Sequence, residues 1–158
     1  MMTRRAAVLV LAVLAAGPAG RAVAAEMSFA SAPLVIVTAT GRHRFRVEVA
    51  KTPAQMEQGL MFRRRLAPDS GMLFEFDAPT VARMWMHNTL IPLDMLFVDG
   101  SGRIVNIAAN ATPMSDAVIA AAAPVRAVVE LPGGTAARLD AKPGDRVLSP
   151  FFGNLRQP

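Results

Sequence analysis

The chain has 158 residues, of which 53% are hydrophobic, and its 17 basic and 12 acidic side chains give a net charge of +5. It contains no cysteine, which excludes disulfide bonds and thiol chemistry, so the folded state has to be stabilised by packing. This length is typical of a single domain with a substantial hydrophobic core.

The first 25 residues predict a cleavable signal peptide. Residues 1–5 are basic, and residues 6–16 form an apolar run that is too short to span a bilayer. Three small residues then provide a cleavage site: Ala22, Ala24 and Ala25. We therefore expect a periplasmic or secreted protein, exported by the general secretory or the twin-arginine route. An uncleaved membrane anchor is the alternative interpretation of this segment.

The charge of the remaining chain argues against a nucleic-acid partner. Removal of 25 residues, three of them arginines, leaves 133 residues with 14 basic and 12 acidic side chains and a net charge of +2. The positive excess therefore lies largely in the leader, and we expect neither nucleic-acid binding nor a membrane span after its removal. The sequence does not specify an oligomeric state.

Seven short segments with period-two hydrophobicity predict a mainly β fold. They lie at residues 34–38, 45–49, 72–76, 95–98, 104–111, 125–131 and 145–148. The turn residues at 99–102 favour a β-hairpin between two of them. We expect an antiparallel, partly open β-barrel-like domain of the mainly β (α+β) class.

One short helix on the N-terminal side interrupts the strands at residues 53 to about 60. Thr52 is its expected N-cap, Pro53 occupies the first helical position, and Gln55 completes a capping box. Met56 and Leu60, four residues apart, should face the sheet.

Two further short helices or turns are expected around residues 115–122 and 135–139. After the signal peptide, we therefore predict an N-terminal extension at 26–33, one β-rich domain at 34–150 and a C-terminal tail at 151–158.

Five ordered motifs resemble the bacterial and archaeal family called domain of unknown function 192. They are EVAKTPAQMEQGLMFRRRL (48–66), GMLFEF (71–76), MWMHNTLIPLDMLFVDGSGRI (84–104), VVELPGG (128–134) and PGDRV (143–147). The resemblance implies a compact, β-rich, partly open barrel with a helix near its start, often exported and without an established biochemical activity. The chain departs from the family pattern at Met84, where an aromatic residue is common, and at His87, where a lysine-like residue is common.

The segment at residues 84–87 suggests a copper(I) site as one alternative. Met84, Met86 and His87 supply thioether and imidazole ligands, and Trp85 could cover a bound cation with its ring. In an extended strand, however, the two methionines point away from the tryptophan and the histidine. Core packing is therefore the preferred interpretation, and we expect no metal and no cofactor.

Asp94 lies in an apolar segment, where a buried carboxylate has to find hydrogen-bond donors. One interpretation is that it accepts bonds from the turn amides of residues 88–90 and holds that bend. The other places Asp94 in a polar pocket with Asn88, Thr89, Glu130 and an arginine such as Arg63. Glu130 points to the opposite face of its strand from Val129 and Leu131, so it leaves the face that they bury and could line a groove.

Two classes of function remain open. The first is an exported, non-catalytic binding or accessory module that holds a small ligand or an envelope component at the open end of the barrel. The second is a small envelope enzyme that uses Asp94 and Glu130 as paired carboxylates on a glycan. The sequence has no phosphate-binding loop, no zinc spacing and no nucleophile elbow, which favours the first class.

Overall fold

The computed structural model describes residues 27–155, so the predicted signal peptide lies outside the described residues. The elements in chain order are β1 (Ala30–Thr38), β2 (Gly41–Ala50), α1 (Pro53–Gln58), β3 (Ser70–Thr80), β4 (Arg83–Met84), β5 (Leu93–Val98), β6 (Ile104–Ala111), β7 (Ile119–Ala120), β8 (Val125–Pro132), α2 (Thr135–Leu139) and β9 (Arg146–Leu148). A 3₁₀ turn, Pro150–Phe152, follows β9.

Seven strands form one curled sheet in the order β6-β5-β8-β3-β2-β1-β9, and β4 pairs with β7 in a separate small ribbon. The two edges of the sheet meet at one end. There, the Ile104 amide donates to the Asp145 carbonyl at 2.9 Å, and the Val147 amide donates to the Gly102 carbonyl at 2.7 Å. The domain is therefore a mainly β, partly open barrel, as the sequence pattern predicted.

One strand pair is parallel in a sheet that is otherwise antiparallel, as predicted. β2 and β3 run in the same direction, with Val47 opposite Gly71. The physical reason is the connection over residues 51–69, which contains α1 and returns the chain to the end of the sheet from which β2 started. All other neighbouring strands of this sheet pair antiparallel.

Both faces of the central strands are covered, which gives the domain two hydrophobic cores. The inner core fills the barrel and includes Leu34, Leu73, Leu96, Val129 and Leu131. The outer core lies on the other face, where α1 and the segment from Ala82 to Met86 cover the sheet; it includes Leu60, Met72, Phe74, Met86 and Met95. Every residue of β5 is buried as a result.

The helix α1 begins as predicted. The Thr52 hydroxyl accepts a bond from the Gln55 amide, and the Gln55 side chain accepts one from the Thr52 amide, which completes the capping box. The helix ends at Gln58 rather than near residue 60. Leu60 is buried in the outer core and Met56 packs against it, so both face the sheet as expected.

The second predicted helix, around residues 115–122, is absent from the described structure. The chain is extended there, because Ile119 and Ala120 pair with β4 and the Ser115 carbonyl accepts a bond from the Met86 amide. These tertiary hydrogen bonds override a helical preference that rested mainly on alanines. The short helix predicted at residues 135–139 is present as α2. No helix among residues 27–155 combines the length and the apolar character needed to cross a bilayer.

Candidate functional site

Asp94 is fully buried on β5, and its carboxylate is saturated by three backbone amides. Oδ1 accepts bonds from the amides of Asn110 at 2.7 Å and Gly134 at 3.1 Å, and Oδ2 accepts one from Ala136 at 2.6 Å. Two of these donors belong to the first turn of α2, whose amides have no partner within the helix. Asp94 therefore fixes the end of α2 against the barrel.

The prediction that Asp94 holds the turn at residues 88–90 was wrong. That turn is closed by its own backbone, since the Thr89 amide donates to the Met86 carbonyl at 3.0 Å and the Phe62 amide donates to the Asn88 carbonyl at 2.8 Å. The underlying reason for the prediction remains correct, because the buried carboxylate did have to find donors. The donors come from a different part of the chain.

Glu130 is the second buried carboxylate, and it lies on β8 between two fully buried methionines, Met72 of β3 and Met95 of β5. Only 4% of Glu130 is exposed, and its carboxylate makes no hydrogen bond or ion pair within residues 27–155. Burial raises the pKa of Glu130 to about 8. Among the described residues, every fully buried side-chain oxygen has a hydrogen-bond partner. The Glu130 carboxyl oxygens have no such partner, so they are not fully enclosed and are accessible from an adjoining pocket.

This Glu130 pocket has a volume of about 80 Å³ and lies between the sheet and α1. Its sheet wall is formed by Glu130 and Phe74, and its helix side by Met56, Gly59, Leu60 and Met61. The third wall is the segment around β4, with Met84, Trp85, His87 and Thr89. The result is a small pocket in which apolar, aromatic and thioether side chains alternate with polar ones, with the Glu130 carboxyl group at its base. The other polar lining residues are Glu57, Gln58, Arg83, His87 and Thr89.

Gly59 allows α1 to approach the sheet closely at this pocket. A side chain at Gly59, which has a φ of 46°, would meet the Phe74 ring at 3.2 Å. Glycine is therefore favoured on the helix side of the pocket. On the inner face of the sheet, a side chain at Gly71 would collide with the Glu130 carbonyl and would lie 2.8 Å from Leu131.

His87 and Trp85 stand at the mouth of the pocket. The His87 Nδ1 atom lies 2.6 Å from the Asp116 carboxylate, which fixes the orientation of the imidazole ring. The Trp85 ring is half exposed and lies 5.2 Å from the His87 ring, centroid to centroid. The bond to Asp116 was not predicted, because the two residues are 29 positions apart in sequence.

The five residues predicted to form one pocket are only partly brought together. Thr89 and Glu130 line the same pocket, and Asn88 lines an adjacent hollow that shares Trp85 and His87. Arg63 points elsewhere, since it forms a 2.6 Å ion pair with Glu48 beside a third hollow. Asp94 lies on the opposite face of the sheet.

The separation of the two carboxylates follows from the strand register. Asp94 pairs with Leu131, and Met95 pairs with Glu130. Directly opposed residues point to the same face, so Asp94 shares the inner face with Leu131 while Glu130 faces the outer core with Met95. The sheet therefore stands between the two carboxylates that the enzyme hypothesis requires as a pair.

The copper(I) alternative loses one of its three ligands. Met86 is fully buried in the outer core and does not line the pocket, whereas Met84 and His87 do. Within the described residues no group of three or more histidine, aspartate or glutamate side chains is arranged to hold a metal ion.

Several pocket residues carry signals that sequence reasoning used only in part. Met56 was expected to face the sheet, but the alternation that identified Glu130 did not show that Phe74 and Met61 would complete the same pocket. These contacts depend on how α1 and β4 fold over the sheet, which period-two patterns do not encode.

Comparison with known proteins identifies the family but not the function. Residues 35–149 match the family model DUF192, described as an uncharacterized ACR. One similar crystal structure is that of a protein from Sinorhizobium meliloti 1021, described as a proposed transcription regulator. Its sequence is 47% identical and its TM-score is 0.77, and the match covers 80% of this chain and 98% of the S. meliloti chain. A protein of unknown function from Novosphingobium aromaticivorans DSM 12444 is also 47% identical, with a TM-score of 0.73 and coverage of 75% and 84%. No curated protein matches the chain.

Proposed function

The chain belongs to the uncharacterised DUF192 family, and we propose that it is an exported, non-catalytic binding module whose ligand enters the Glu130 pocket. The observation that supports this proposal is the Glu130 carboxyl group, which belongs to a residue that is only 4% exposed and which adjoins the pocket. Ionising this carboxyl group in its buried position costs free energy, as its raised pKa of about 8 reflects. A ligand that supplies a donor or a positive charge lowers this cost.

The chemistry of the pocket favours binding over catalysis. The carboxylate pair that a glycan-cleaving mechanism needs is divided by the sheet, because Asp94 faces the inner core and is saturated by three amides. The Glu130 pocket combines apolar, aromatic and thioether side chains with several polar ones, and such a mixture is typical of a small-molecule site. The polar lining residues are Glu57, Gln58, Arg83, His87, Thr89 and Glu130.

The contacts of the arginine-rich segment, residues 63–65, do not favour an anionic ligand in this pocket. Arg63 is paired with Glu48, and none of Arg63, Arg64 and Arg65 lines the Glu130 pocket. An anion beside Glu130 would oppose the ionisation of its carboxyl group, which burial already disfavours. The group that enters the pocket is therefore a hydrogen-bond donor or a cation.

Export is supported by the N-terminal sequence, which has a basic start, a short apolar run and a small-residue cleavage site. Mass spectrometry of the protein from its native host should find a mature N-terminus at Ala25 or Glu26. Full-length protein in the cytoplasm would contradict this part of the proposal. A role in transcription, which the description of the S. meliloti protein suggests, is not included because the predicted mature chain has a net charge of only +2.

Binding is tested by a thermal-shift screen of the purified protein against amines, sugars, metal ions and envelope fragments. A ligand that binds only the native state raises the unfolding midpoint. We expect at least one class to raise the midpoint of the wild type and to lose its effect in Glu130→Gln. The matched control is Glu57→Gln, which removes an exposed acid at the rim of the same pocket. If every class that acts on the wild type acts equally on Glu130→Gln, the proposed site is wrong.

A further inference from the structure

We infer that the Glu130 pocket binds an organic ammonium group, with its positive charge at the Glu130 carboxylate and its carbon atoms toward Trp85. This inference rests on the proposed function and specifies the chemical class of the ligand. Three features of the pocket support it: the unpaired acid at the base, the nature of the walls, and the size.

Among residues 27–155, no side chain supplies a cation to Glu130. Two positively chargeable side chains line the pocket, Arg83 and His87, but neither forms an ion pair with Glu130 within the described residues. His87 is instead bound to Asp116 at 2.6 Å, and the exposed Glu57 adds a second acid at the rim. The two flanking strands present Met72 and Met95, which carry no charge. The position of a counter-ion is therefore left for a ligand.

The walls suit a cation that carries carbon atoms better than a small, strongly hydrated ion. The half-exposed Trp85 ring and the Phe74 ring offer aromatic surfaces, which attract cations through their quadrupole. Met56, Met61 and Met84 add polarizable sulfur and flexible apolar surface. An alkylammonium group can use both kinds of contact at once, whereas a neutral donor uses only the carboxylate.

The size of the pocket limits what can enter. A volume of about 80 Å³ holds a few water molecules or an ammonium group with a short carbon stem, but not a whole sugar ring or a nucleotide. A longer ligand would place only its amino end in the pocket. Its remaining atoms would extend over the exposed Trp85 ring.

Binding of an ammonium group releases a proton. Burial raises the pKa of Glu130 to about 8, so the carboxyl group of the empty protein is largely protonated at pH 6. An alkylammonium ion remains charged up to about pH 10. The step is therefore R–NH₃⁺ + Glu130–COOH → R–NH₃⁺···⁻OOC–Glu130 + H⁺. Because one proton leaves on binding, the apparent affinity should increase with pH. The increase should be about tenfold for each pH unit, up to the pKa of the empty site.

The test uses n-butylammonium chloride as the probe, with n-butanol as the neutral control and butyrate as the anionic control. Binding to the purified protein is measured by isothermal titration calorimetry between pH 5.5 and 7.5, in two buffers with different ionisation enthalpies. We expect n-butylammonium to bind at least tenfold more tightly than n-butanol, with release of one proton and no binding of butyrate. Glu130→Gln should reduce the affinity at least tenfold and abolish proton release. Asp77→Asn, which removes an exposed acid of β3 outside the pocket, should change the affinity less than threefold.

Two results would overturn the inference. The first is equal binding of n-butanol and n-butylammonium, or affinity unchanged in Glu130→Gln. The second is tight stoichiometric quenching of Trp85 by Cu(I) that is lost in Met84→Leu and retained in Glu130→Gln, since the pocket would then be a copper site. Neither result would contradict the proposed function if the thermal-shift screen finds another ligand whose effect depends on Glu130. A screen that finds no such ligand would refute the proposed function itself.

Discussion

Asp94 and Glu130 are buried carboxylates on neighbouring strands, and the sheet gives them opposite environments. Asp94 faces the inner core, where three backbone amides bind its two oxygens at 2.6–3.1 Å. Glu130 faces the outer core, where none of the described residues binds its carboxylate and a pocket of about 80 Å³ adjoins it. A saturated carboxylate stabilises the fold. A buried carboxyl group that only a small pocket reaches costs free energy when it ionises, and a ligand that supplies a positive charge can offset this cost.

The different environments of Asp94 and Glu130 also exclude two hypotheses that place the two carboxyl groups together. Asp94 and Glu130 were expected either to share a pocket or to act as an acid/base pair. The register that pairs Asp94 with Leu131 and Met95 with Glu130 turns the two acids to different faces. Removing each charge should consequently have effects of opposite sign on stability.

The largest effect should be seen on removing the Glu130 charge at alkaline pH. The folded-state pKa of about 8 exceeds the ordinary value of 4.5, so the folded protein retains a proton that the unfolded chain releases. Stability therefore falls as the pH rises from about 4.5 to 8, by an amount on the order of 5 kcal/mol for this group. Glu130→Gln should match the wild type near pH 5 and exceed it at pH 9, as measured by urea denaturation across this range.

Glu57→Gln serves as the control for this prediction, because it removes an exposed acid from the same pocket and should leave the pH dependence unchanged. A parallel loss of stability in the wild type and in Glu130→Gln between pH 5 and 9 would show that Glu130 is not held in a destabilising environment. The contrast with Asp94 would then disappear.

An effect of opposite sign is expected at Asp94. Asp94→Asn should lower the free energy of unfolding by about 1.5 to 3 kcal/mol, because an amide replaces a charged acceptor and turns an N–H₂ group toward backbone donors. Urea denaturation at pH 7, compared at equal slope, measures this change. The exposed Asp69 provides a matched control, since Asp69→Asn should change stability by less than about 0.5 kcal/mol. An unchanged midpoint in Asp94→Asn would mean that the three amide bonds do not secure α2.

The smallest effect is expected at Thr89, on the wall of the Glu130 pocket. Its hydroxyl donates one bond to the His87 carbonyl at 3.2 Å, and the turn around it is otherwise closed by backbone hydrogen bonds. Thr89→Val should therefore cost about 1 kcal/mol or less, measured in the same denaturation series. A cost above that of Asp94→Asn would show that the turn, and not the end of α2, is the more sensitive part of the site.

The sequence by itself determined where the strands of the main sheet and the first helix lie, and which side chains of a strand share a face. Period-two hydrophobicity identified the strands of the main sheet, and the Thr52–Gln55 capping box identified the start of α1. The alternation at Val129, Glu130 and Leu131 showed that Glu130 leaves the face that its neighbours bury. These features depend on residues within a few positions of one another, so local stereochemistry is sufficient to predict them.

Only the tertiary structure decided what each carboxylate meets. The donors to Asp94 lie 16, 40 and 42 positions away, and the bond that holds His87 spans 29 positions. The parallel pairing of β2 and β3 and the extended segment at Ile119–Ala120 have the same origin, since contacts between distant segments override local preference. A buried carboxylate has to be compensated, but which distant group does so, or whether any does, is set by how the sheet curls and what folds over it.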